Sequence, residues 1–429
     1  MKQKLETTEI KRKTISNYLQ TIDRTVLDFD KEKICCKTLS TTQIYCCLVC
    51  GKYFQGKSKG TPAYNHSLEE NHHIFMSLTG KNIYELPKDV IVTDPSHQDI
   101  INCYDPFYSQ NEIETLDESQ MKNVELKDYF KKEYTRGFIG LNRIGKTDFV
   151  NVIIQCIGHC SVVRNMLLKK TYIEEIENEL KYPEFVKKMS LIVRKQWNKQ
   201  LLKALITPFE LTSELQRIKK SFSIDKQGDV IEYFMFFLHA LNPITQSFQS
   251  KLIVEENGKQ SIRNCSCIPL DLPPMPLYPD HLKEKIIPHI VLSDLLKKYD
   301  GKTETIQQKK SLKYSFSELP KYLVFTLRRF EFNTVQGEKN ITIVEFEDML
   351  DMSIYTNKNN SNEDEKEYKY QLISCIKHDG TVTDGHYSCY LKNKSTNEWY
   401  LMDDDIVKTE VFPMIKVSCV SIIIYERID

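Results

Sequence analysis

The chain has 429 residues, with 59 basic and 59 acidic side chains and no formal net charge. At ~100–200 residues per domain this length predicts two or three domains, while 41% hydrophobic and 28% charged residues exclude collagen, coiled coil and global disorder. No stretch stays apolar for the ~20 residues of a membrane helix, and the balanced charge excludes a protein that coats nucleic acid through its bulk field.

Residues 1–30 read as an N-terminal arm, with Tyr18, Leu19, Ile22, Val26 and Leu27 at helical spacing and a small basic cluster at Lys11, Arg12 and Lys13. The opening MKQKLETTEIKRKT lacks the apolar core of a secretory signal, so reduced thiols are expected. Five of the thirteen cysteines (Cys35, Cys36, Cys46, Cys47, Cys50) then crowd together, followed by His66, His72 and His73. Such a cluster suggests metal before disulfide. Cys47-Leu-Val-Cys50 has the spacing of a zinc knuckle, and His66 and His72 can add two imidazoles. The turn-rich GKYFQGKSKGTPAYN between the pairs lets them meet. Cys35, Cys36, Cys46 and His73 are the alternatives, although adjacent Cys46 and Cys47 cannot readily bind one ion. The bland alternative is a set of buried thiols and surface histidines. This spacing differs from a nucleic-acid-reading finger, which needs about twelve residues between its pairs. A zinc-binding segment over 31–110 and a polar linker over 111–134, acidic at Glu112, Glu114, Asp117 and Glu118, are expected.

Residues 135–429 read as a larger unit. Helical patterns come first (DFVNVIIQCIGHC, EFVKKMSLIVRKQW, DVIEYFMFFLHAL), then short strands (YLVFTLRRFEF, ITIVEF, YQLISCIKH, HYSCYLKN, EWYLMD, VSIIIYER). Helices followed by strands predict an α+β fold. Residues 356–367 carry no apolar side chain and predict a disordered surface insertion. Gly140 to Thr147 satisfies the phosphate-loop pattern G-x4-G-K-[ST], but lacks the preceding buried strand and the following α/β alternation that such a loop needs.

LDFDKEKICC, YCCLVCGKYFQG and AYNHSLEENHHIF together resemble the UBP-type zinc finger, a ubiquitin-tail-binding module found beside ubiquitin-specific proteases. Members with several zincs carry a cysteine where this chain has Gln55 and a histidine where it has Pro62, so the resemblance implies one structural Zn2+. Gln55-Gly56-Lys57 lacks the family's tail-gripping arginine, and Trp197 and Trp399, the only tryptophans, lie outside the finger; both points count against ubiquitin-tail binding.

Five further segments resemble, in order, the boxes of ubiquitin-specific proteases: Gly140–Asn151, Gln227–Phe234, Leu319-Pro320 with Leu327–Phe330, Asp384–Tyr387, and Trp399 with Asp403-Asp404. The resemblance implies a papain-like fold with a helical thumb and a β-rich palm and fingers. Cysteine-protease hydrolysis needs a thiolate, a histidine base and a residue orienting that base. On this alignment His386 and Asp403 take the last two roles, but the nucleophile position holds Asp148 and the oxyanion position holds Arg143, with Asn142 one place off. A carboxylate is a poor nucleophile toward an isopeptide, and Cys156, the nearest thiol, lies ~12 Å along the expected helix. Asp148 is expected instead to accept a charge-assisted hydrogen bond from His386, bracing helix against sheet; the two alone offer too few ligands for a metal. Cys265-Ser-Cys267 has no partner pair, so a second zinc in the fingers is not expected.

With the N-terminal YLQTIDRTVLDFD, the whole pattern resembles the splicing-factor branch of the family. That branch implies a nuclear, non-catalytic scaffold in pre-mRNA splicing that supports assembly or stability of the U4/U6.U5 tri-snRNP. Its partners would be tri-snRNP proteins, with snRNA in the same particle. The alternatives are a ubiquitin-binding reader and a deubiquitinase with an atypical site.

Overall fold

The computed structural model describes residues 16–118, 126–275, 287–307, 310–330, 339–356, 368–381, 384–411 and 419–428. The basic cluster at Lys11–Lys13 and almost all of the 356–367 segment lie outside the described residues. The chain forms two units. One comprises Met1–Pro106, Glu125–Arg136 and Asn198–Ala204; the other comprises Phe107–Val124, Gly137–Trp197 and Leu205–Asp429.

The first unit is built on five short antiparallel strands in the spatial order Tyr53–Gln55, Ile44–Cys47, Ile74–Ser77, Ile83–Glu85, Val90–Val92. Side chains alternate across a strand. Ile44 and Cys46 therefore enter one core, with Leu27, Phe29, Ile74 and Met76. Cys47 enters the other, with Phe54, Ala63 and Phe75. The helix Pro62–Glu69 starts on a proline at its first turn, where the missing N–H has no helical partner to lose. The helical spacing of residues 18–27 does not become an α-helix. Two 3-10 turns form, Leu19–Thr21 and Arg24–Val26, because Ile22 is extended and the Asp23 side chain accepts from the Thr25 amide, capping a fresh turn. The polar stretch after residue 94 carries short helices. The helix Gln98–Tyr104 buries Ile100 and Cys103, and Gln110–Glu114, in the second unit, opens on a Ser109/Glu112 capping box.

In the second unit six α-helices fall between residues 148 and 240, and strands dominate afterwards. The main sheet runs Ile268–Leu270, Tyr322–Leu327, Val420–Arg427, Lys369–Gly380, Gly385–Lys392, Trp399–Asp403, Ile406–Glu410, with Met349–Asp351 also paired to Lys369–Gly380. Only its first pair is parallel. Tyr322–Leu327 is buried at every residue, which is why it reads as a continuous apolar run. A four-stranded sheet holds Lys259–Cys265, Ser250–Glu256, Lys310–Glu318 and Thr305–Gln307. The helix Asp148–His159 is buried along its whole length and packs against both the Gly385–Lys392 strand and the Val230–Ala240 helix. An apolar helix with no exposed face belongs in a core. Its N-terminus thereby meets the strand carrying His386.

Leu323 is fully buried in the palm core. Leu323→Ala should cost about 2–5 kcal/mol, read as a lower urea midpoint, whereas Lys259→Ala on an exposed strand should stay within about 0.5 kcal/mol.

Candidate functional site

In the first unit, ligand atoms of Cys47, Cys50, His66 and His72 all lie within 4.8 Å of one another. His66 Nε2 is 3.5 Å from Cys50 Sγ and 3.1 Å from His72 Nδ1. Tetrahedral zinc with Zn–S about 2.3 Å and Zn–N about 2.0 Å separates its ligands by roughly 3.3–3.8 Å, so this donor set fits that ion. Phe54 stacks on the His66 ring at 4.1 Å and fixes its plane. A hydrogen bond from Cys47 holds the Cys50 thiol well below the usual thiol range, and the same bond pushes Cys47 up.

The other cysteines and histidine of the cluster are engaged elsewhere. Cys46 is buried on the opposite face of the strand, Cys35 Sγ accepts from the Thr38 amide, and Cys36 is exposed. His73 is held by Leu86 O at 2.8 Å and Asn71 Oδ1 at 2.7 Å. Gln55 accepts from Thr38 Oγ1, and Lys57 pairs with Asp89 over the Tyr84 ring.

In the second unit, Asp148 opens its helix and is fully buried. Its Oδ2 accepts from the Tyr387 amide at 2.7 Å and from Gln227 Nε2 at 2.9 Å. His386 Nδ1 stands 3.4 Å from the same oxygen, a longer, charge-assisted contact beside these two shorter bonds. The brace therefore adds a backbone amide and a glutamine to the imidazole. Gln227 opens one of the family-like segments, but nothing in its spacing indicated that its amide would reach residue 148.

His386 Nε2 meets Asp403 Oδ1 at 2.5 Å. With a carboxylate on each ring nitrogen, Asp148 and Asp403 push the imidazole pKa up to about 10. Burial alone would raise Asp148, but His386, Gln227 and the Tyr387 amide outweigh it and hold the carboxyl below its usual range. The hydrogen bond from His386 lowers Asp403. Burial pushes Asp404 up to about 6, and its Oδ1 accepts from Asn151 Nδ2 at 2.7 Å.

Arg143 is exposed, with Nε on Gly145 O at 2.8 Å and Nη1 at 3.2 Å from His386 Nδ1. Against a charged imidazole, which has no acceptor nitrogen, this last approach sets cation against cation. Asn142 donates to Thr207 Oγ1 and is turned away from the oxyanion role. The Cys156 thiol is buried and hydrogen-bonded to Cys389. Gly145 of the phosphate-loop pattern has φ +64°, and an added Cβ would come within 2.3 Å of Ile224 O; that glycine serves a turn. The helix after it begins with a buried carboxylate, which repels phosphate. Cys265 Sγ donates to Cys267 O, and no four-ligand cluster forms around the two among the described residues.

The family described as "Ubiquitin carboxyl-terminal hydrolase" matches residues 139–425, and "Zn-finger in ubiquitin-hydrolases and other protein" matches 35–97. The probable mRNA-splicing protein ubp10 of Schizosaccharomyces pombe is 31% identical, covering 96% of this chain and 88% of that protein. Human ubiquitin carboxyl-terminal hydrolase 39 is 32% identical over 96% of this chain and 80% of its own. Pre-mRNA-splicing factor SAD1 of Saccharomyces cerevisiae is 28% identical over 90% and 88%. Among solved structures, an essential yeast splicing factor superposes with TM-score 0.79 at 24% identity, covering 96% of this chain and all of that one. The SAGA Ubp8/Sgf11/Sus1/Sgf73 DUB module bound to ubiquitin aldehyde gives 0.55 at 18%, covering 94% and 91%. At these identities the superpositions speak for the fold.

The raised His386 pKa makes a signed prediction. Its contribution to stability is complete below the ordinary value of 6.5 and is lost as pH climbs toward about 10. Those of Asp148 and Asp403 are present above 3.8 and are lost in acid. The melting-temperature gap between the native chain and His386→Gln should be widest between pH 4 and 6.5, and should shrink steadily toward pH 10. A gap that widens with alkali would contradict the ion-paired geometry.

Proposed function

The chain belongs to the ubiquitin carboxyl-terminal hydrolase family, and from that premise we propose that it is a non-catalytic scaffold in pre-mRNA splicing, supporting assembly or stability of the U4/U6.U5 tri-snRNP in the nucleus. Two of its relatives are named for splicing, one of them 31% identical over nearly the whole chain. Its partners are tri-snRNP proteins, with snRNA in the same particle.

The observation that carries the absence of catalysis is the carboxylate at residue 148. Hydrolysis of an isopeptide begins when a neutral imidazole takes a proton from a thiol. Here the ring nitrogen facing the helix is committed to Asp148, and the imidazole is charged before any substrate arrives. Attack by Asp148 would leave a mixed anhydride, and its Oδ2 is already held by Tyr387 and Gln227. Arg143 beside the ring supplies no oxyanion geometry comparable to a short amide side chain. Cys47, Cys50, His66 and His72 hold one structural zinc, whose binding couples to the folding of a unit with small cores.

Tagged protein purified from nuclear extract should recover U4, U5 and U6 snRNAs and their proteins; a preparation free of them ends the scaffold reading. A fluorogenic ubiquitin substrate should show no turnover with the native chain or with Asp148→Cys. Turnover that vanished in His386→Ala would instead establish a deubiquitinase, and submillimolar binding of labelled ubiquitin would favour the reader. Elemental analysis should find about one zinc per chain, falling toward none in a Cys47→Ser/His66→Ala variant; two zincs would refute the single-ion count.

A further inference from the structure

The strand Ile406–Glu410 ends the main sheet. It pairs with Trp399–Asp403, and among the described residues no strand pairs with its other edge. None of its five residues is buried. A two-residue turn, Asp404-Asp405, joins the two strands and sets Asp403 opposite Ile406. Residues flanking such a turn exchange both of their hydrogen bonds, so Val407 and Thr409 direct their N–H and C=O groups away from the sheet. An unpaired edge of this kind is a template for another strand.

A cavity of ≈ 440 Å³ lies at the end of the same strand, and its wall includes Asp348, Lys392, Glu398, Trp399, Glu410 and Val411. Glu410 stands opposite Trp399, and Trp399 opposite Lys392, at the far end of the strand Gly385–Lys392 from His386. At ~3.3 Å per residue the strand sets Lys392 roughly 20 Å from that imidazole. The Lys392 ammonium is spent on Asp348, at 3.0 and 3.2 Å, and that pair is neutral. Glu398 and Glu410 remain, and neither has an ion-pair partner among the described residues. Glu398 Oε2 accepts from the uncharged Tyr400 hydroxyl at 3.3 Å. The cavity is thus acidic, and Trp399 together with Val411, which is 66% exposed, adds apolar wall.

We propose that this edge takes an extended, basic segment of a protein partner as an added strand, with one arginine or lysine side chain entering the cavity between Glu398 and Glu410. Backbone bonds to Val407 and Thr409 hold the segment, and the cavity selects its charge. The stem of the entering side chain lies along Trp399 and Val411, and its cation meets the two carboxylates. The same carboxylates repel a phosphodiester backbone. The inference stands on the strand edge and the cavity, independently of the splicing role.

The probe is a fluorescein-labelled decapeptide of alternating Arg and Thr, titrated by anisotropy into the full chain. One control replaces Arg by Gln; the other replaces Thr by Pro, which removes N–H groups that strand pairing needs. The Arg/Thr peptide should bind about tenfold more tightly than either control. Glu398→Gln combined with Glu410→Gln should weaken it about tenfold and leave the melting temperature in place, because neither carboxylate is ion-paired. Thr409→Pro removes an outward N–H without touching the ladder and should also weaken binding about tenfold, whereas Thr409→Ala should cost less than about threefold. Should Thr409→Pro fail to melt cooperatively, the Arg/Pro peptide still tests the strand pairing. Equal binding of the Arg and Gln peptides, or binding untouched by the paired Gln substitutions, would overturn the proposal. So would an Arg/Pro peptide that binds as well as Arg/Thr, since charge attraction without an added strand would then suffice.

Discussion

A carboxylate at residue 148, wholly buried at the first turn of the innermost helix, has to be neutralised where it sits. Leaving such a charge unpaired would cost several kcal/mol. The helix N-terminus meets part of that demand, and the remainder is met by the Tyr387 amide, Gln227 and the His386 imidazole. The partners come from two elements: Tyr387 and His386 from the strand Gly385–Lys392, and Gln227 from the segment before the Val230–Ala240 helix. One buried oxygen therefore ties helix layer and sheet together in the same place where a thiol protease would keep its reactive group free.

The same charge reorganises what surrounds it. His386 lies between Asp148 and Asp403, with Arg143 beside the ring and Asp404 close by. Such an arrangement stabilises and orients the imidazole. The zinc cluster of the first unit follows the same logic. Four donors that would repel or waste hydrogen bonds on one another are brought together because an ion can satisfy them, with Phe54 keeping one imidazole in plane. Arg329 is the exception, a buried cation for which no anion is supplied within the described residues.

How legible this was depends on whether the signal is local. The cluster of Cys47, Cys50, His66 and His72 could be read because its spacing is short and the chemistry of two thiols and two imidazoles is restrictive. The helix Asp148–His159 and the palm strands could be read from apolar periodicity. The residues before Leu27 misled because spacing alone could not register the cap at Asp23 that restarts the turn. The segments 125–136 and 198–204 joined the first unit through pairings distant in sequence, such as Ala204 N with Asp128 Oδ2, which no local pattern encodes.

By itself the sequence determined which groups are present: a carboxylate at residue 148, a histidine at 386, aspartates at 403 and 404, a cluster of two cysteines and two histidines with metal-ligand spacing, and an ordered series of family-like segments. Composition and spacing decide those, because they are properties of the chain before it folds. Only the tertiary structure decided whom Asp148 would meet, that His386 would stand at ion-pair distance while Tyr387 and Gln227 made the short bonds, and that Arg329 would be buried without an anion. Distances between residues hundreds of positions apart are set by the packing of helix on sheet, and a few tenths of an ångström decide which contact is short and strong.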